Sequence, residues 1–294
     1  MKVLVFQQDN QLFAQLRAQL DERVEDIVPI PVVLDVIGTM VDVDALVATH
    51  EPSYFLCVAQ LSPSADELAQ KRFRANVELI ERAARKAGIA IIFLSSAMVF
   101  DGKKLGYKES DSVNPLSETA KVYTALETLI RRKSSRHIIL RSSWLFSARP
   151  HNFLTNVIDY ACANESISLN SAGKASPTAM ADLVRVIIAM LLQLEFTQEA
   201  WGTYHYTCSD AVIGFQFIES IVAQASQYDE RLSPSNMLFA HEAAPCDDFY
   251  FEPVVLKCDK IRSVFGVHQK TWRSYLPTAV KTYFELEQAA SAKS

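Results

Sequence analysis

Strand-like and helix-like segments alternate regularly through the first half of this 294-residue chain, and this alternation restricts the fold more than any other feature. Unbroken apolar runs such as KVLVF and IAIIFLSS are typical of strands buried on both faces of a sheet. Between them lie amphipathic segments, the longest of which spans residues 66–87 and is followed by Gly88, a residue suited to a left-handed helix end. The pattern predicts right-handed βαβ units and a parallel sheet covered by helices on both faces.

The individual elements can be placed along the chain. Strands are predicted at KVLVF, EDIVPIPVVLD, SYFLCVA, IAIIFLSS and RHIILRSSW, with helices between them over 11–22, 40–50, 66–87 and 116–132. After Pro150 the alternation becomes less regular, and helices are predicted over 150–163, 178–194, 214–226, 257–265 and 272–288. Short strands are predicted there at SISL, TYHYT and EPVVL, and residues 232–253 are the most loop-like stretch.

This order of elements predicts an α/β protein. A Rossmann-like doubly wound parallel sheet is expected in residues 1–150, as a degenerate dinucleotide-binding domain. A smaller C-terminal α/β lobe is expected in residues 151–294, mostly of substrate-binding type, with some segments returning to the first domain.

Composition excludes several classes of protein. The net charge of −5 argues against a nucleic-acid binder, and the basic clusters at 71–74 and 131–133 are typical of solvated helix faces. The most apolar helix, 178–194, contains Asp182 and Arg185, which leave too short an apolar run to span a bilayer. The N-terminus lacks the long apolar region of a signal peptide. We therefore expect a soluble cytoplasmic protein that binds neither nucleic acid nor membrane.

Neither the cysteines nor the histidines show metal-ligand spacing. The five cysteines are odd in number, widely spaced and without a CxxC pair, which indicates reduced thiols: Cys57, Cys162, Cys208, Cys246 and Cys258. The six histidines are equally scattered: His50, His137, His151, His205, His241 and His268. We expect no metal, and a structural role for His205 on its alternating strand.

The junction between the first strand and the first helix, QQDNQLF at residues 7–13, contains no glycine. Dinucleotide-binding folds place glycines at this turn so that the backbone can approach the diphosphate. The whole chain has only 8 glycines, well below the roughly 7% that is usual. Asp9 adds a negative charge where a diphosphate would lie at the helix N-terminus. These features indicate a fold that has kept its frame and lost its cofactor.

Several blocks in the correct order resemble one family. The block SSAMVFDGKKLGYKESDSVNPL is similar to the region of dTDP-4-dehydrorhamnose reductases that reads roughly S-T-D-Y-V-F-D-G, P-Y-x-E-x-D and N-P-L. The likeness continues through IILRSSWLFS, NFLTNVI, ASPTAMADLV, GTYHYT and VVLKCDKIRSVFGV, and so spans nearly the whole chain. It implies an RmlD-like extended short-chain dehydrogenase, a family that reduces a 4-keto sugar attached to a nucleotide with NADPH.

The resemblance places the family's functional residues on unexpected side chains. In register, its three glycines fall on Gln7, Asn10 and Phe13; asparagine tolerates left-handed backbone, but a phenylalanine is expected to intrude where helix, strand and cofactor meet. The family's catalytic tyrosine and lysine, one helical turn apart, fall on Thr119 and Tyr123. A threonine hydroxyl is too weakly acidic to replace a phenol activated by an ammonium group.

The resemblance also implies a vestigial catalytic position and a set of substrate-binding positions. Ser96 matches the catalytic hydroxyl residue, whereas the polar neighbours of that residue are Ala97 and Met98 here. The positions matched to sugar-nucleotide binding are Ser62, Trp144, Asn152, Ser176 and Thr178. Structural roles compete with this interpretation, since Thr178 is a good helix N-cap and Trp144 ends a core strand. Tyr107, Glu109 and Asp111 match the P-Y-x-E-x-D motif, with Gly106 in place of its proline.

The sequence therefore leaves more than one function open. The leading hypothesis is a catalytically degenerate homologue of dTDP-4-dehydrorhamnose reductase, with no cofactor, that binds a nucleotide sugar or acts as a regulatory subunit on a protein partner or a second copy. The family offers a precedent in the noncatalytic subunit that associates with methionine adenosyltransferase. The alternative is an active reductase or epimerase of nucleotide sugars that uses NADPH or NADH at an atypical site. A third hypothesis is a scaffold whose pocket is filled by side chains, Phe13 among them.

Overall fold

Within the described residues, twelve strands and nine α-helices form one large sheet, three two-stranded pairs and their covering layers. The structure, a computed structural model, describes residues 1–7, 11–21, 26–34, 40–149, 152–164, 166–168, 173–197, 199–233, 238–240 and 253–292. The strands are β1 Lys2–Gln7, β2 Val28–Val33, β3 Tyr54–Cys57, β4 Ala90–Ser96, β5 His137–Ser142, β6 Leu145–Phe146, β7 Ser166–Ser168, β8 Lys174–Ala175, β9 Thr178–Ala179, β10 Gly202–His205, β11 Val212–Ile213 and β12 Leu238–Ala240. The helices are α1 Gln11–Asp21, α2 Met40–His50, α3 Glu67–Ala87, α4 Glu118–Lys133, α5 Phe153–Ala163, α6 Met180–Leu194, α7 Gly214–Ala225, α8 Asp259–Phe265 and α9 Leu276–Ser291.

The large sheet has six strands in the order β10-β5-β4-β3-β1-β2, and all of its pairs are parallel. The prediction of a Rossmann-like doubly wound sheet is therefore confirmed. The chain leaves β1 toward β2 on one side and returns to β3 on the other, so the strand order reverses between β1 and β3. In folds of this kind, ligands bind beyond the carboxyl ends of the strands at such a reversal.

Side chains alternate between the two faces of the sheet, and each face has its own core. On one face, Val3 and Val5 pack with apolar residues of α1 and α6. On the other face, Leu4 and Phe6 pack with apolar residues of α3 and α4. Because both faces are covered by helices, the central strands are made mainly of apolar residues, as the unbroken runs in the sequence predicted.

A third core lies between α5, α7 and α9 and belongs to the C-terminal part of the chain. Its centre contains Phe217 and Trp272, both fully buried, with Val157 and Val280 around them. The division into residues 1–150 and 151–294 stays a prediction, and β10 joins the large sheet from beyond residue 150. None of the described helices combines the length and hydrophobicity needed to cross a membrane.

The prolines of β2 are explained by its place at the edge of the sheet. Val28 N–H donates to the carbonyl of Met1, so alternate residues of β2 direct their N–H groups toward β1. Pro29 and Pro31 fall on the opposite alternation and face the open side. An edge strand tolerates proline there because no described strand lies beside it to require the missing N–H, and the lack of that N–H opposes pairing with another chain.

Several predicted boundaries are wrong for local reasons. The predicted strand EPVVL is, over residues 253–256, a segment held by one isolated bridge between Tyr107 and Leu256. Helix α6 begins at Met180 rather than residue 178, because the preceding two residues pair with β6. The loop-like stretch 232–253 contains the short strand β12, and the predicted helix 272–288 starts as a single 3₁₀ turn before α9.

Candidate functional site

Gln7 and Phe13 flank the junction between β1 and α1, where a dinucleotide would meet the backbone. Gln7 ends β1 with 1% of its surface exposed. Phe13, in the first turn of α1, is half-buried and packs against the core shared by α1 and α6. Gln19 also joins these helices, since its Nε2 donates to the carbonyl of Ala181 at 2.7 Å. The third predicted position, Asn10, lies outside the described residues.

The described residues at this junction do not fit a diphosphate cradle. A cradle needs backbone without side chains so that N–H groups can contact phosphate oxygens directly. Here both described positions carry large side chains: Gln7 is buried, and Phe13 packs against the core between the sheet, α1 and α6.

Ser96, which the resemblance matches to the catalytic hydroxyl residue, begins a short turn. It ends β4 and lies opposite Ser142 of β5 in the parallel register. Its Oγ accepts the N–H of Met98 at 3.2 Å, which caps the 3₁₀ turn over residues 97–99. The hydroxyl is therefore a structural acceptor in this structure.

Thr119, at the position matched to the catalytic tyrosine, is directed at the loop that follows β3. It lies in the first turn of α4, and only 1% of its surface is exposed. Its Oγ1 lies 3.4 Å from the carbonyl oxygen of Ser62 and 3.3 Å from that of Pro63, to which it donates. Ser62 and Thr119, which the resemblance matched to different roles, therefore lie in contact, and the contact is made by the backbone carbonyl of Ser62 rather than by its side chain.

Tyr123, at the position matched to the catalytic lysine, is part of the core. Its side chain is fully buried, with ring centres of Phe73 at 5.5 Å and Phe93 at 6.2 Å. Its hydroxyl accepts the N–H of Leu61 at 2.8 Å. Burial raises the pKa of the Tyr123 phenol above its usual value, so it holds its proton at any physiological pH.

No ammonium group on α4 replaces the missing lysine in the part of the chain that the structure describes. Lys121, two residues before Tyr123, is exposed and pairs with Glu118 at 2.5 Å on the outer side of the helix. No cation is among the groups that shift the pKa of the Tyr123 phenol, which burial raises. The tyrosine–lysine pair that the resemblance implies for this helix is therefore represented by two neutral hydroxyl groups, those of Thr119 and Tyr123.

Trp144 lies in an aromatic stack beside the third core. Its ring centre is 5.2 Å from that of Phe153 at an interplanar angle of 12°, and 6.1 Å from that of Phe217. Its backbone φ of 42° is in the left-handed region, which side chains other than glycine seldom adopt. Such a conformation persists only where the surroundings fix it, and it occurs often at ligand-binding positions.

Asn152 and Thr178 hold the segments on either side of Trp144 by different contacts. We call the region formed by Trp144, Asn152, Phe153 and Thr178 the Trp144 corner. Asn152 caps α5: its Oδ1 accepts the N–H of Leu154 at 3.0 Å, and its Nδ2 donates to the carbonyl oxygens of Ser147 and Arg149. Thr178 N–H donates to the carbonyl of Trp144 at 3.0 Å. This bond accompanies the pairing of β9 with β6, which ties the two segments together.

The prediction that Thr178 caps the following helix is wrong. The N-cap of α6 is Ala179, which makes no side-chain capping bond. Thr178 is instead fully buried in β9, and its Oγ1 donates to the carbonyl of Ser176 at 3.2 Å. Ser176 is also buried, whereas Ser62 is exposed and its Oγ lies 3.1 Å from that of Ser64.

A buried hydroxyl lies close to this corner in sequence. Ser142 ends β5, two residues before Trp144, with 4% of its surface exposed. Its Oγ has no hydrogen-bond partner among the described residues. A buried hydroxyl without a partner costs free energy, which a ligand with a polar group would recover.

The polar loop of residues 101–115 is held by its own acidic groups. Tyr107 is buried, stacks on Phe100 with ring centres 4.3 Å apart, and donates its hydroxyl to Asp101. Glu109 accepts the backbone N–H of His205 at 3.0 Å, which joins the loop to the edge strand β10. Asp111 accepts the backbone N–H of Lys108 at 2.7 Å.

The sequence interpretation missed a buried charge network that connects four elements. Arg141 donates to both carboxylate oxygens of Glu127, at 2.8 and 2.6 Å, and both side chains are almost fully buried. Ser95 Oγ donates to the same carboxylate at 2.7 Å. Arg141 also lies 3.2 Å from Nε2 of His205, whose Nδ1 is 3.2 Å from the carbonyl of Tyr107.

This network fixes the protonation of His205. Burial, together with the adjacent Arg141 guanidinium, lowers the pKa of His205 to about 3. The neutral ring then accepts from Arg141 at Nε2 and donates from Nδ1 to Tyr107. The expected structural role of His205 agrees with these contacts.

A second cluster that the sequence interpretation missed surrounds Asp182, which is fully buried in the first turn of α6. Its Oδ1 accepts from Arg185 at 2.8 Å and from the hydroxyl of Tyr275 at 2.7 Å. Its Oδ2 accepts from the hydroxyl of Tyr206 and from Cys208 Sγ at 3.4 Å. Burial and the hydrogen bond to Asp182 raise the pKa of both tyrosines. Both carboxylate oxygens of Asp182 have hydrogen-bond partners, so the cluster links α6 to the segments that carry Tyr206 and Tyr275.

One sequence signal pointed toward the first network. Thr119, Tyr123 and Glu127 follow one another at intervals of four on α4, so all three lie on the same face of the helix. That face is buried, and a buried carboxylate such as that of Glu127 is costly in free energy unless a cation pairs with it. Arg141, alone in the apolar run IILRSSW, is that partner.

Metal ligands do not gather in the part of the chain that the structure describes. No group of three or more His, Cys, Asp or Glu side chains there is arranged to hold a metal ion. Cys57, Cys208 and Cys258 are buried and free, and Cys162 is free and half-buried. Cys246, His151 and His241 lie outside the described residues.

Comparison with known proteins identifies a matching family and several relatives. The family model described as RmlD substrate binding domain matches residues 1–285. A dTDP-4-dehydrorhamnose reductase from Aggregatibacter actinomycetemcomitans is 27% identical over 213 residues, which cover 71% of this chain and 72% of that protein. A second such reductase, from Sinorhizobium fredii, is 26% identical over 204 residues, or 68% of either chain.

Solved structures show the same fold. The structure of a dTDP-4-dehydrorhamnose reductase from Clostridium acetobutylicum matches with a TM-score of 0.79 and 20% identity, over 98% of this chain and 100% of that one. A reductase of the same name from Bacillus anthracis, solved in complex with NADP, also has a TM-score of 0.79 and 20% identity, over 95% and 98% of the two chains.

Proposed function

Because the chain belongs to the RmlD substrate binding domain family, we propose that it binds a nucleotide sugar and lacks the family's reductase chemistry. One observation supports the proposed loss of reductase chemistry. The two positions matched to the catalytic tyrosine and lysine are buried hydroxyls, Thr119 and Tyr123, that hydrogen-bond to the backbone of residues 61–63. Each of these hydroxyls is thus engaged with a loop in the core, and the nearby Lys121 ammonium is paired with Glu118 instead of activating either of them as a proton donor.

The nucleotide-sugar part of the proposal rests on the corner around Trp144. The strained backbone of Trp144, its aromatic stack and the unpartnered hydroxyl of Ser142 among the described residues are features of a binding corner. Asn152, Ser176 and Thr178 are proposed to shape this corner, mostly through the backbone they fix, and Ser62, on the loop after β3, is proposed as a further substrate-binding position. Ser96 is proposed to be a vestige of the catalytic hydroxyl.

We further propose that the chain holds no dinucleotide. The relative from Bacillus anthracis was solved with NADP, so a bound cofactor is the family alternative. In this chain the described positions at the β1–α1 junction carry side chains in place of glycine: Gln7 is buried, and Phe13 packs against the core. The alternative, an active reductase or epimerase with NADPH or NADH, predicts binding of that cofactor and activity that falls when Ser96 or Tyr123 is replaced.

Titration of dTDP-glucose into the purified protein by calorimetry tests the binding part. We expect saturable binding with a dissociation constant on the order of micromolar, weakened about tenfold or more by Trp144→Leu. Trp201→Leu is the matched control, because Trp201 is half-buried under the Arg136 guanidinium and remote in sequence from the corner. Absence of binding at millimolar nucleotide sugar, or equal binding by both variants, would overturn this part.

A regulatory role follows if binding occurs without chemistry, and we propose it as the biological use of the site. The occupied state would then be transmitted to a protein partner or to a second copy of the chain. The mass of the protein in solution, measured by light scattering with and without dTDP-glucose, tests the second-copy form. A change of mass on binding supports that form, and an unchanged mass contradicts it.

A further inference from the structure

A cleft of about 530 Å³ opens at the edge of the large sheet, and we name it the edge cleft. It lies between the polar loop, the edge strand β10 and the segment that enters α8. Its lining residues are Lys108, Glu109, Ser110, Thr203, Lys257, Asp259 and Lys260. Thr203 pairs with Ile139 within the sheet, whereas Trp144 follows the end of β5, so the edge cleft is separate from the Trp144 corner.

The carboxylates of the edge cleft already have partners. Glu109 accepts the backbone N–H of His205 at 3.0 Å. Asp259 accepts from the guanidinium of Arg262 at 3.3 Å. Asp111, the next acidic residue of the loop, pairs with Lys104 at 2.6 Å.

One of the three lysines is committed to the fold. Lys260 donates to the carbonyl of Thr203 at 2.7 Å, and its ammonium lies 4.2 Å from the ring centre of Tyr204. Burial lowers the pKa of this ammonium, which is half enclosed by the protein. Lys260 therefore contributes positive charge to the floor of the cleft while it holds the edge strand.

Among the described residues, the ammonium groups of the other two lysines form no ion pair. Lys108 and Lys257 are exposed, and among the described residues neither lies within 4.0 Å of a carboxylate oxygen. The cleft lining holds three lysines against two carboxylates, Glu109 and Asp259, so its charge is net positive and favours an anion.

The path of Lys257 is fixed by the loop beneath it. Gly106 has a φ of +90°, and a Cβ at that position would lie 3.1 Å from Lys257 Cε and 3.2 Å from its Cγ. The absence of a side chain at Gly106 therefore lets the aliphatic part of Lys257 lie directly on the loop. The backbone N–H of Lys257 also donates to the carbonyl of Tyr107 at 2.8 Å.

We propose that the edge cleft binds a small phosphate ester, with Lys108 and Lys257 in contact with the phosphate. Two ammonium groups match one phosphate dianion, and the hydroxyls of Ser110 and Thr203 line the space for the remainder of the molecule. The volume is within the range of about 300–1,000 Å³ that is usual for small-molecule sites, and is far larger than one phosphate ion needs.

Calorimetric titration with glucose 1-phosphate, with inorganic phosphate as the second probe, tests the proposal. We expect saturable binding of the ester, weaker binding of inorganic phosphate, and a loss of about tenfold in affinity for Lys108→Ala and for Lys257→Ala. Lys103→Ala is the matched control, since Lys103 is an exposed lysine of the same loop that lies outside the cleft lining and faces Asp101 at 3.8 Å.

The outcomes separate this site from the proposed nucleotide-sugar site. Trp144→Leu is expected to retain glucose 1-phosphate binding in full, because Trp144 does not line the edge cleft. Absence of ester binding at about 10 mM ligand, or equal binding by the Lys103, Lys108 and Lys257 variants, would contradict the proposal. Binding of inorganic phosphate as tight as that of the ester would also contradict it, because the cleft would then recognise an ion alone.

Discussion

The hydroxyl of Tyr123 is enclosed by the core and accepts the N–H of Leu61, a residue 62 positions earlier in the chain. At the scale of single residues, this hydrogen bond gives the Tyr123 hydroxyl a structural role. A phenol in an apolar cluster retains its proton, and a backbone N–H beside it gains the partner it needs.

Replacement of Tyr123 by phenylalanine is expected to lower the free energy of unfolding by about 1–3 kcal/mol, because the N–H of Leu61 loses its partner in a buried place. Urea unfolding measures this change. Tyr228→Phe is the control, since 43% of Tyr228 is exposed, and its effect is expected to stay within about 0.5 kcal/mol. Equal stabilities of the two variants would contradict the structural role of Tyr123.

His205 gives a prediction about pH. Its pKa is about 3 in the folded chain, whereas a histidine in an unfolded chain titrates near about 6.5. Between these values the unfolded state binds more protons, so the stability that neutral His205 contributes is present above about pH 6.5 and is lost as pH falls toward 3. The loss is at most about 1.4 kcal/mol per pH unit.

Comparison with His205→Gln isolates this contribution from that of the carboxylates. The variant is expected to be less stable than the native chain near neutral pH, because the contacts with Arg141 and Tyr107 change. The difference between the two is expected to shrink as pH falls from about 7.5 to about 5, because the variant no longer gains a proton on unfolding. A constant difference across this range would contradict a neutral, buried His205.

At the scale of elements, Asn152 fixes how α5 leaves the preceding loop. Asn152→Ala is expected to lower stability by about 1 kcal/mol, because the helix loses its capping bond to the N–H of Leu154. Asn152→Asp keeps the acceptor and loses the donors to Ser147 and Arg149, so an intermediate stability is expected. Thermal unfolding checks the order of the three proteins. An unchanged stability of Asn152→Ala with loss of dTDP-glucose binding would show a ligand role instead.

The buried pair of Glu127 and Arg141 joins α4 to β5. Arg141→Met leaves the Glu127 carboxylate buried without its main partner, and a loss of about 3–5 kcal/mol is expected. The double variant Glu127→Leu with Arg141→Met is expected to recover much of that loss, because a well-packed apolar pair removes both charges together. A double-mutant cycle in urea measures the coupling. Additive losses would contradict the pairing.

At the scale of the whole molecule, the sheet and its helices could be predicted because their signals are local. Each central strand is an apolar run, and α3 is bounded by Asp66, which caps it, and by Gly88 with a φ of 68°. The positions of Thr119 and Tyr123 on one face of α4 followed from their spacing of four. These features depend on residues close together in sequence.

The partners of those residues could not be predicted, because they depend on sheet order and loop paths. The contact between Tyr123 and Leu61 needs the loop after β3 to lie over α4. The contact between Arg141 and His205 needs β10 to pair with β5 rather than with another strand. Strands of two residues, such as β6 and β9, are too short for any periodic signal, which is why Thr178 was wrongly predicted to cap α6.

The central claim is that this reductase fold binds a nucleotide sugar without using a dinucleotide. Titration of NADPH into the protein, followed by calorimetry and by quenching of tryptophan fluorescence, tests it most directly. The account predicts no saturable signal up to millimolar NADPH, while dTDP-glucose in the same cell still binds. Saturable binding of NADPH at micromolar concentration, followed by its oxidation when a 4-keto nucleotide sugar is added, would contradict the account.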